Sequence, residues 1–529
     1  MARVRWYLPP LLLALSPLAI VIGANLGAVP LRGVVIGRTM LLVAAATVVL
    51  LAALRLLQRD VAARAAWLSW FLILFNLYGA AAQGLRVLGL PIVASDPLFA
   101  VPYVLTSGVI AALASRPWEV RPRDPTPMTI VAMLFLLVAL APAAAGNRRP
   151  EQPWQPVADT LIAAALSRGP EPGFEPARDI YYIVLDSLGS ADALQRNYGL
   201  DLAPAVAALR ARGFYVVEGA RSNYSQTYLS LSSTLNLGYL DEVARAVGST
   251  TTDRAPLEYL IQQNALMRLA SRAGYRNVAI GSDYMATQQF DQADVCVCSV
   301  SGIDELEVAA LALTPLAAAP LEWLVGGDLY GPHRRKIVDT FATLEDFKRG
   351  SVRTFLFAHV LAPHPPFVLA RDGSPLPPPS TPYSLSEWRA AGGAETEYIR
   401  GYGEQSRYVL DRITAFVDAV LQQPGPPPVI VVHGDHGPGL RMNTGGSNEA
   451  SMRQRMEIFA AYYFPGGADS LYPTMTPVNG ARLLASTYLG AELPPLPDRV
   501  MFSPGARPYE FVPVPAVASQ DSISPVRIR

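Results

Sequence analysis

Long apolar runs fill most of the first 146 residues, and they constrain what the chain can fold into more than any other feature. Five of them, near 7–28, 34–57, 65–85, 97–115 and 128–146, approach the roughly 20 residues that a helix needs to cross a bilayer. They predict an α-helical membrane domain, residues 1–146, of about five transmembrane helices. Arg3 and Arg5 precede the first run as in a signal peptide, but no small-residue cleavage site stands out and further runs follow at once, so it reads as an uncleaved anchor. Basic residues set the orientation: Arg3, Arg5, Arg55, Arg59, Arg64, Arg116, Arg121 and Arg123 fall on one side, against Arg32, Arg38, Arg86, Arg148 and Arg149 on the other. The bias favours a cytoplasmic N-terminus. Five crossings then place everything after residue 150 outside the cytoplasmic membrane.

Residues 147–178 are Pro-rich at both ends around a short apolar stretch, which predicts a semi-rigid linker whose middle can lie on the membrane surface as an amphipathic helix. From 179 to 513 apolar strand-like runs alternate with helix-length patterns. DIYYIVLD is followed by a helical stretch around 203–212 and then FYVVEGA; LEYLIQQNALMRLASRAG leads into YRNVAIGSD; RTFLFAHV precedes a long helical stretch around 400–422, then PPVIVVHGDHG and EIFAAYYFP. Such alternation predicts an α/β sandwich with a largely parallel central sheet. Residues 514–529 read as a disordered tail. Lys plus Arg equal Asp plus Glu at 43 each, so bulk charge points to no nucleic-acid partner. The only cysteines, Cys296 and Cys298, lie in VCVC of the exported part and lack the second pair a structural metal site would need; a local structural role is expected.

In open α/β sheets ligands bind beyond the carboxyl ends of the strands. There the polar residues agree. IYYIVL ends in Asp186, TFLFA ends in His359 with His364 five positions on, and VIVV ends in His433, Asp435 and His436. An unpaired buried charge is costly, and a bound divalent cation would satisfy several of these groups at once. A further candidate lies in SNYSQTYLSLSSTLN, where turn-forming residues lead into a helix at about Gln226 and put Thr227 near its N-terminus. Free backbone N–H groups and the helix dipole favour an anion there. A hydroxyl so placed can ligate a metal, lose its proton more readily, and attack phosphorus or sulfur. Asp186, Thr227, Asp435 and His436 make a mixed oxygen and nitrogen set for one divalent metal ion, which suits Zn²⁺ or Mn²⁺ better than Ca²⁺.

The order DIYYIVLDSLG, SNYSQTYLSLSSTLN, HVLAPHPPF, HGDHGPG and YYFPGGADSLYPTMTPVN resembles the alkaline phosphatase superfamily. Within it the likeness is to sulfatase-like membrane enzymes that include lipoteichoic acid synthases and phosphoethanolamine transferases. The resemblance implies a bacterial inner-membrane enzyme with its catalytic domain on the periplasmic side. It implies Thr227 as nucleophile and Asp186, Thr227, Asp435 and His436 as metal ligands, with His359 and His364 lining the substrate side. It also implies a phospholipid-derived head group, of phosphoglycerol or phosphoethanolamine type, moved to an envelope glycan, lipid or polymer through a phospho-threonine intermediate. Two departures stand out. No Cys-x-Pro-x-Arg or Ser-x-Pro-x-Arg segment is present, which disfavours sulfate-ester hydrolysis, and no histidine follows His436, which disfavours a full two-metal site.

Each residue has a plainer reading. Asp186 can cap a turn at a strand end, and Thr227 can be an ordinary helix-capping threonine with Ser225, Ser230, Ser232 and Ser233 as rival hydroxyls. His359 can be a core histidine, the weaker of the substrate-side pair; His364 is favoured for acid–base work. His433 is expected to support Asp435 or His436 from behind. His333 is expected at a solvated helix start; Arg453 and Arg455 can meet a phosphate, but a charge run of this kind usually reads as wet surface. Asn223 and Gln226 can donate to an oxyanion. Two other functions use the same residues: an extracytoplasmic hydrolase with water as acceptor, and a non-catalytic metal-binding envelope scaffold.

Overall fold

The computed structural model describes residues 4–25, 33–88, 97–120, 124–146, 153–169, 177–298, 307, 310–311, 313–318, 330–376, 394–440 and 448–515. The chain divides into two units, residues 1–150 with 301–329, and residues 151–300 with 330–529.

The first unit is helical. Three of its helices are long and apolar enough to cross a membrane, within Ile36–Leu56, Val61–Leu85 and Pro97–Arg116. A fourth candidate, Arg5–Ala14 with Ser16–Gly23, bends by 45° at Leu15. The fifth apolar run forms the helix Thr126–Gly146, whose described apolar part, Thr126–Leu140, is shorter than a span. The sequence pattern did not anticipate that residues around 307–318 join this unit. Glu307 takes a two-pronged ion pair from Arg38, Nη2 to Oε2 at 2.6 Å and Nε to Oε1 at 3.2 Å, and a hydrogen bond from Thr39 at 2.7 Å.

In the second unit the apolar runs become strands: β1 (Ile180–Leu185), β2 (Tyr215–Val216), β3 (Arg276–Ile280), β4 (Val295–Val297), β5 (Thr354–Val360), β6 (Val429–Gly434) and β7 (Ala460–Tyr463). They form one sheet in the order β2-β7-β6-β1-β5-β3-β4, and β7 alone runs against the others. β1, β5 and β6 are buried along their whole length, which is why their sequences are nearly continuous apolar runs without the alternation of a half-exposed strand. Each face of the sheet carries its own core, one around Val184, Leu229 and Leu266, the other around Ile183, Phe341 and Phe416. A short ribbon of β8 (Met501–Phe502) and β9 (Val512–Pro513) follows, and Val514 is buried beside Met456. Val514, expected in a disordered tail, is thus packed, and residues 516–529 of that expected tail lie outside the described residues.

The linker departs from expectation. Its apolar stretch is the helix Gln155–Leu166, and Ala158, Ile162 and Ala165 on one face are buried in the core of the second unit. Trp154 meets Tyr259 edge-on at 5.6 Å. Burying an isoleucine-sized side chain stabilises by roughly 1.5–3 kcal/mol, so the apolar stripe serves the domain core and is not available to a membrane surface.

Candidate active site

The sheet register sets up the site. Val184 in β1 lies between His359 of β5 on one side and His433 of β6 on the other, and Asp186 follows just beyond. The three strand ends thus bring their polar residues to one place, as the topology of a parallel sheet requires.

Asp186, Asp435, His359 and His436 are all almost fully buried. The backbone N–H groups of Ser187 and His436 both donate to Oδ1 of Asp435 at 2.9 Å, which turns Oδ2 toward the cluster. Nε2 of His436 lies 3.3 Å from that Oδ2, 3.8 Å from Oδ1 of Asp186 and 3.0 Å from Oγ1 of Thr227. Thr227 is the first residue of the helix Thr227–Leu235, whose residues are all buried. The four groups expected to share an ion do converge.

Two of the glycines in HGDHGPG have a reason other than a tight turn. A Cβ at Gly434 would collide with the carbonyl of Leu188, and one at Gly437 would lie 2.5 Å from the carbonyl oxygen of Gln454. Only glycine lets these segments of the chain approach so closely.

His359 stands nearer the carboxylates than its expected substrate-side place. Its Nε2 is 3.4 Å from Oδ2 of Asp186 and has no hydrogen bond, while Nδ1 is held at 2.8 Å by Thr287. Asp186, His359 and Asp435 offer ligand atoms within 4.8 Å of one another. His364 follows on the loop after β5; its backbone N–H donates to the carbonyl of Asp186 at 3.1 Å.

Other expectations are corrected. His433 touches neither Asp435 nor His436 through its ring: Nε2 pairs with the hydroxyl of Tyr182 at 3.0 Å and Nδ1 with the carbonyl of Gly434 at 2.8 Å. The alternation of β6 aims it into the sheet layer while the chain turns off after Gly434. Asn223 and Gln226 are turned away from the expected oxyanion role, because their amides engage the segment around 499–504. Asn223 donates to the carbonyl of Arg499 and accepts from the N–H of Val478; Gln226 donates to Ser503 and Pro504 and accepts from Arg254. His333 is not solvated but paired with Asp283 at 2.9 Å. Cys296 and Cys298 are joined as a disulfide.

Arg455 is not the wet surface expected of it. Its Nη2 lies 2.9 Å from Nε2 of His436, Nη1 donates to the carbonyl of Gly437 at 2.7 Å, and Nε donates to the carbonyl of Ser225 at 2.9 Å. The available signal was its position just ahead of the run that forms β7, beside β6, where a charge is not on a free surface.

The electrostatics suit a cation. Oδ1 and Oδ2 of Asp186, Oδ2 of Asp435 and Nε2 of His359 are buried without hydrogen-bond partners. At Asp186 burial opposes ionisation, but His364, His359 and His436 outweigh it and hold the carboxyl below the usual range. At Asp435 burial first, and the charge of Asp186 second, push the carboxyl up. Two buried carboxylates so close cannot both ionise without positive charge between them. Burial also drives His436 well below the ordinary histidine range, with Arg455 as the next cause, and lowers His364. Neutral imidazoles and oxygen anions are the donor set of a divalent metal of the Zn²⁺ or Mn²⁺ type, so the residues present fit one.

A threonine hydroxyl on a helix N-terminus faces an Asp/His cluster at the carboxyl ends of a parallel sheet, an arrangement that suits metal-assisted nucleophilic attack in a hydrolase or transferase. A family model described as Sulfatase matches residues 178–473, more than half of the chain, and the chain belongs to that family. No curated protein matches. Among solved structures the chain is similar to the C-terminal periplasmic domain of EptC from Escherichia coli in complex with Zn, at 14% identity and TM-score 0.40, covering 67% of this chain and 97% of that one. It is also similar to the integral membrane lipooligosaccharide phosphoethanolamine transferase A from Neisseria meningitidis, at 13% identity and TM-score 0.38, covering 90% and 95%. A third, the C-terminal periplasmic domain of phosphoethanolamine transferase EptC from Campylobacter jejuni, matches at 11% identity and TM-score 0.36, covering 59% and 90%.

Proposed function

We propose that this chain is a membrane-anchored, metal-dependent phosphotransferase that works outside the cytoplasm of a bacterial cell. It would take a head group, of phosphoglycerol or phosphoethanolamine type, from a phospholipid donor and pass it to a hydroxyl of an envelope glycan, lipid or polymer. The observation that carries this reading is the position of Thr227 Oγ1, 3.0 Å from Nε2 of His436 in a cluster of two buried carboxylates. The apolar helices of the first unit support a lipid donor, and the Cys296–Cys298 pairing supports an oxidising compartment.

Asp186, Thr227, Asp435 and His436 would hold the ion, with His359 beside them. When bound, a Zn²⁺ or Mn²⁺ ion supplies a lowered hydroxyl pKa and positive charge toward the phosphoryl oxygens. The rest is done by the chain. Thr227 forms its bond to phosphorus as the bond to the departing alcohol breaks, the proton given up by Oγ1 ending on that alcohol, and a phospho-threonine results. The N–H groups of the first turn of Thr227–Leu235 face the charge that develops on the phosphoryl oxygens. In the second step the acceptor oxygen bonds to phosphorus as the bond from phosphorus to Thr227 Oγ1 breaks; His364, kept neutral by burial, takes the acceptor's proton, and a proton returns to Thr227.

The test is to incubate the full chain with labelled phospholipid, with and without an extracytoplasmic glycan fraction, beside Thr227→Ala at equal expression. Label on the acceptor, and on a Thr227 peptide in quenched wild-type samples, is expected. Release to water alone would replace the transferase reading by the hydrolase one. Undiminished activity of Thr227→Ala would end the nucleophile assignment.

A further inference from the structure

We infer that Arg455 is a substrate-binding catalytic residue, a guanidinium clamp on the phosphoryl oxygens that takes the place of a second metal ion. The inference rests on the phosphotransferase reading above and names how that site holds its substrate's charge.

The geometry leads there in three steps. Arg455 occupies the last turn of the helix Glu449–Met456, and two backbone carbonyls fix its guanidinium: that of Ser225, two residues before the nucleophile, and that of Gly437, next to His436. The N–H of Gly437 in turn donates to the carbonyl of Arg455 at 2.7 Å, so the loop after β6 and this helix end are tied at both levels. A planar fork held this way loses little freedom when it binds an oxyanion.

Second, Nη2 of Arg455 and Oγ1 of Thr227 both lie within 3.0 Å of the same atom, Nε2 of His436. An ion held by His436 through Nε2 would take the lone pair that Arg455 now uses. One N–H of a fixed cation then lacks its acceptor, next to the nucleophile. A phosphoryl oxygen is the acceptor the chemistry supplies.

Third, the charges balance with one metal ion only if Arg455 is counted. Asp186, through both carboxyl oxygens, and Asp435, through Oδ2, are buried without hydrogen-bond partners and would be neutralised by a divalent cation. The single negative charge of a phosphodiester remains, and Arg455 matches it. Among the described residues Asp186, His359 and Asp435 form the one group of three or more His, Cys, Asp or Glu side chains placed for metal binding.

The full chain in detergent, loaded with Zn²⁺ or Mn²⁺, tests this by two measurements that do not depend on turnover: metal content per chain, and affinity for inorganic phosphate by calorimetry. Arg455→Gln is expected to keep the wild-type content of one ion and to bind phosphate at least tenfold more weakly, and Arg455→Lys, with a point charge but no fork, several-fold more weakly. Unchanged phosphate affinity in both variants would overturn the clamp. So would a loss of metal in step with phosphate affinity, which would make Arg455 a support for His436, and so would two ions per wild-type chain. If Arg455→Gln loses its thermal transition, Arg455→Lys decides by the same two measurements. Thr227→Ala separates this inference from the reading it rests on. It should lose transfer but keep phosphate binding, so a failed transfer assay leaves the clamp testable, and a failed phosphate test leaves the transfer reaction standing.

Discussion

The backbone N–H of Ser187 donates to Oδ1 of Asp435 at 2.9 Å, across the gap between β1 and β6. Ser187 holds a left-handed backbone, φ 70°, to do so. A non-glycine residue in that region costs of order 1 kcal/mol and persists only where its surroundings require it. Here the requirement is that one carboxylate oxygen be used up so that the other is left for the cluster.

Asp435→Asn should therefore separate folding from ion binding. The amide oxygen can still accept from Ser187 and His436, and one of two mutually repelling buried carboxyls is gone, so the Tm of the metal-free variant should equal or exceed that of metal-free wild type. An ion present at a hundred times its Kd stabilises wild type by about 2.7 kcal/mol, and most of that increment should vanish in the variant. Thermal unfolding with and without added Zn²⁺ or Mn²⁺ reads both effects; a large drop in the metal-free Tm would refute the separation.

Thr287 tests His359. Its hydroxyl is the 2.8 Å partner of Nδ1, so it sets which way Nε2 faces Asp186. Losing such an orienting partner typically costs roughly 10–100-fold in metal affinity. Thr287→Val, nearly the same in shape, should show that loss in a competition titration with a chelator, whereas a His359 confined to the substrate side would leave metal affinity unchanged.

Gly437→Ala should fail for a purely steric reason. The added methyl meets the carbonyls of Gln454 at 2.5 Å and Glu457 at 3.0 Å, both backbone atoms that no rotamer change can move. Overpacking of this kind costs about 1–3 kcal/mol, and because the displaced segments carry His436 and Arg455, metal affinity should fall together with Tm. A variant with wild-type Tm and metal content would show that the loop gives way cheaply.

The fold was legible where burial is complete on both faces of a strand. IYYIVL, TFLFAHV and VIVVHG read as central parallel strands because nothing else explains apolar runs of that length ending in Asp or His. The nucleophile turn was legible for a similar local reason, a cluster of turn formers leading into a helical pattern. What failed was everything decided by a partner distant in sequence. Asn223 and Gln226 look like free amides until the segment 499–504 is folded over them. Arg455 looks like surface until β7 lies beside β6, and Glu307 gives no sign that Arg38, 269 positions earlier, is its partner.

His433 supplies a pH test away from the reacting groups. It is fully buried, and burial lowers its pKa from an ordinary 6.5 to about 4. A histidine whose folded pKa is depressed stays neutral in the fold while the unfolded chain takes up a proton, so its contribution is complete above pH 6.5 and is lost as pH falls toward 4. At 1.36 kcal/mol per unit, that window is worth about 3 kcal/mol. His433→Gln keeps an amide that can meet the hydroxyl of Tyr182 but cannot titrate, so it removes the term without emptying the site. Metal-free wild type should lose stability between pH 6.5 and 4 by about that much more than the variant, read as the difference in their Tm profiles. Parallel profiles would mean that His433 takes up its proton in the folded chain as readily as in water.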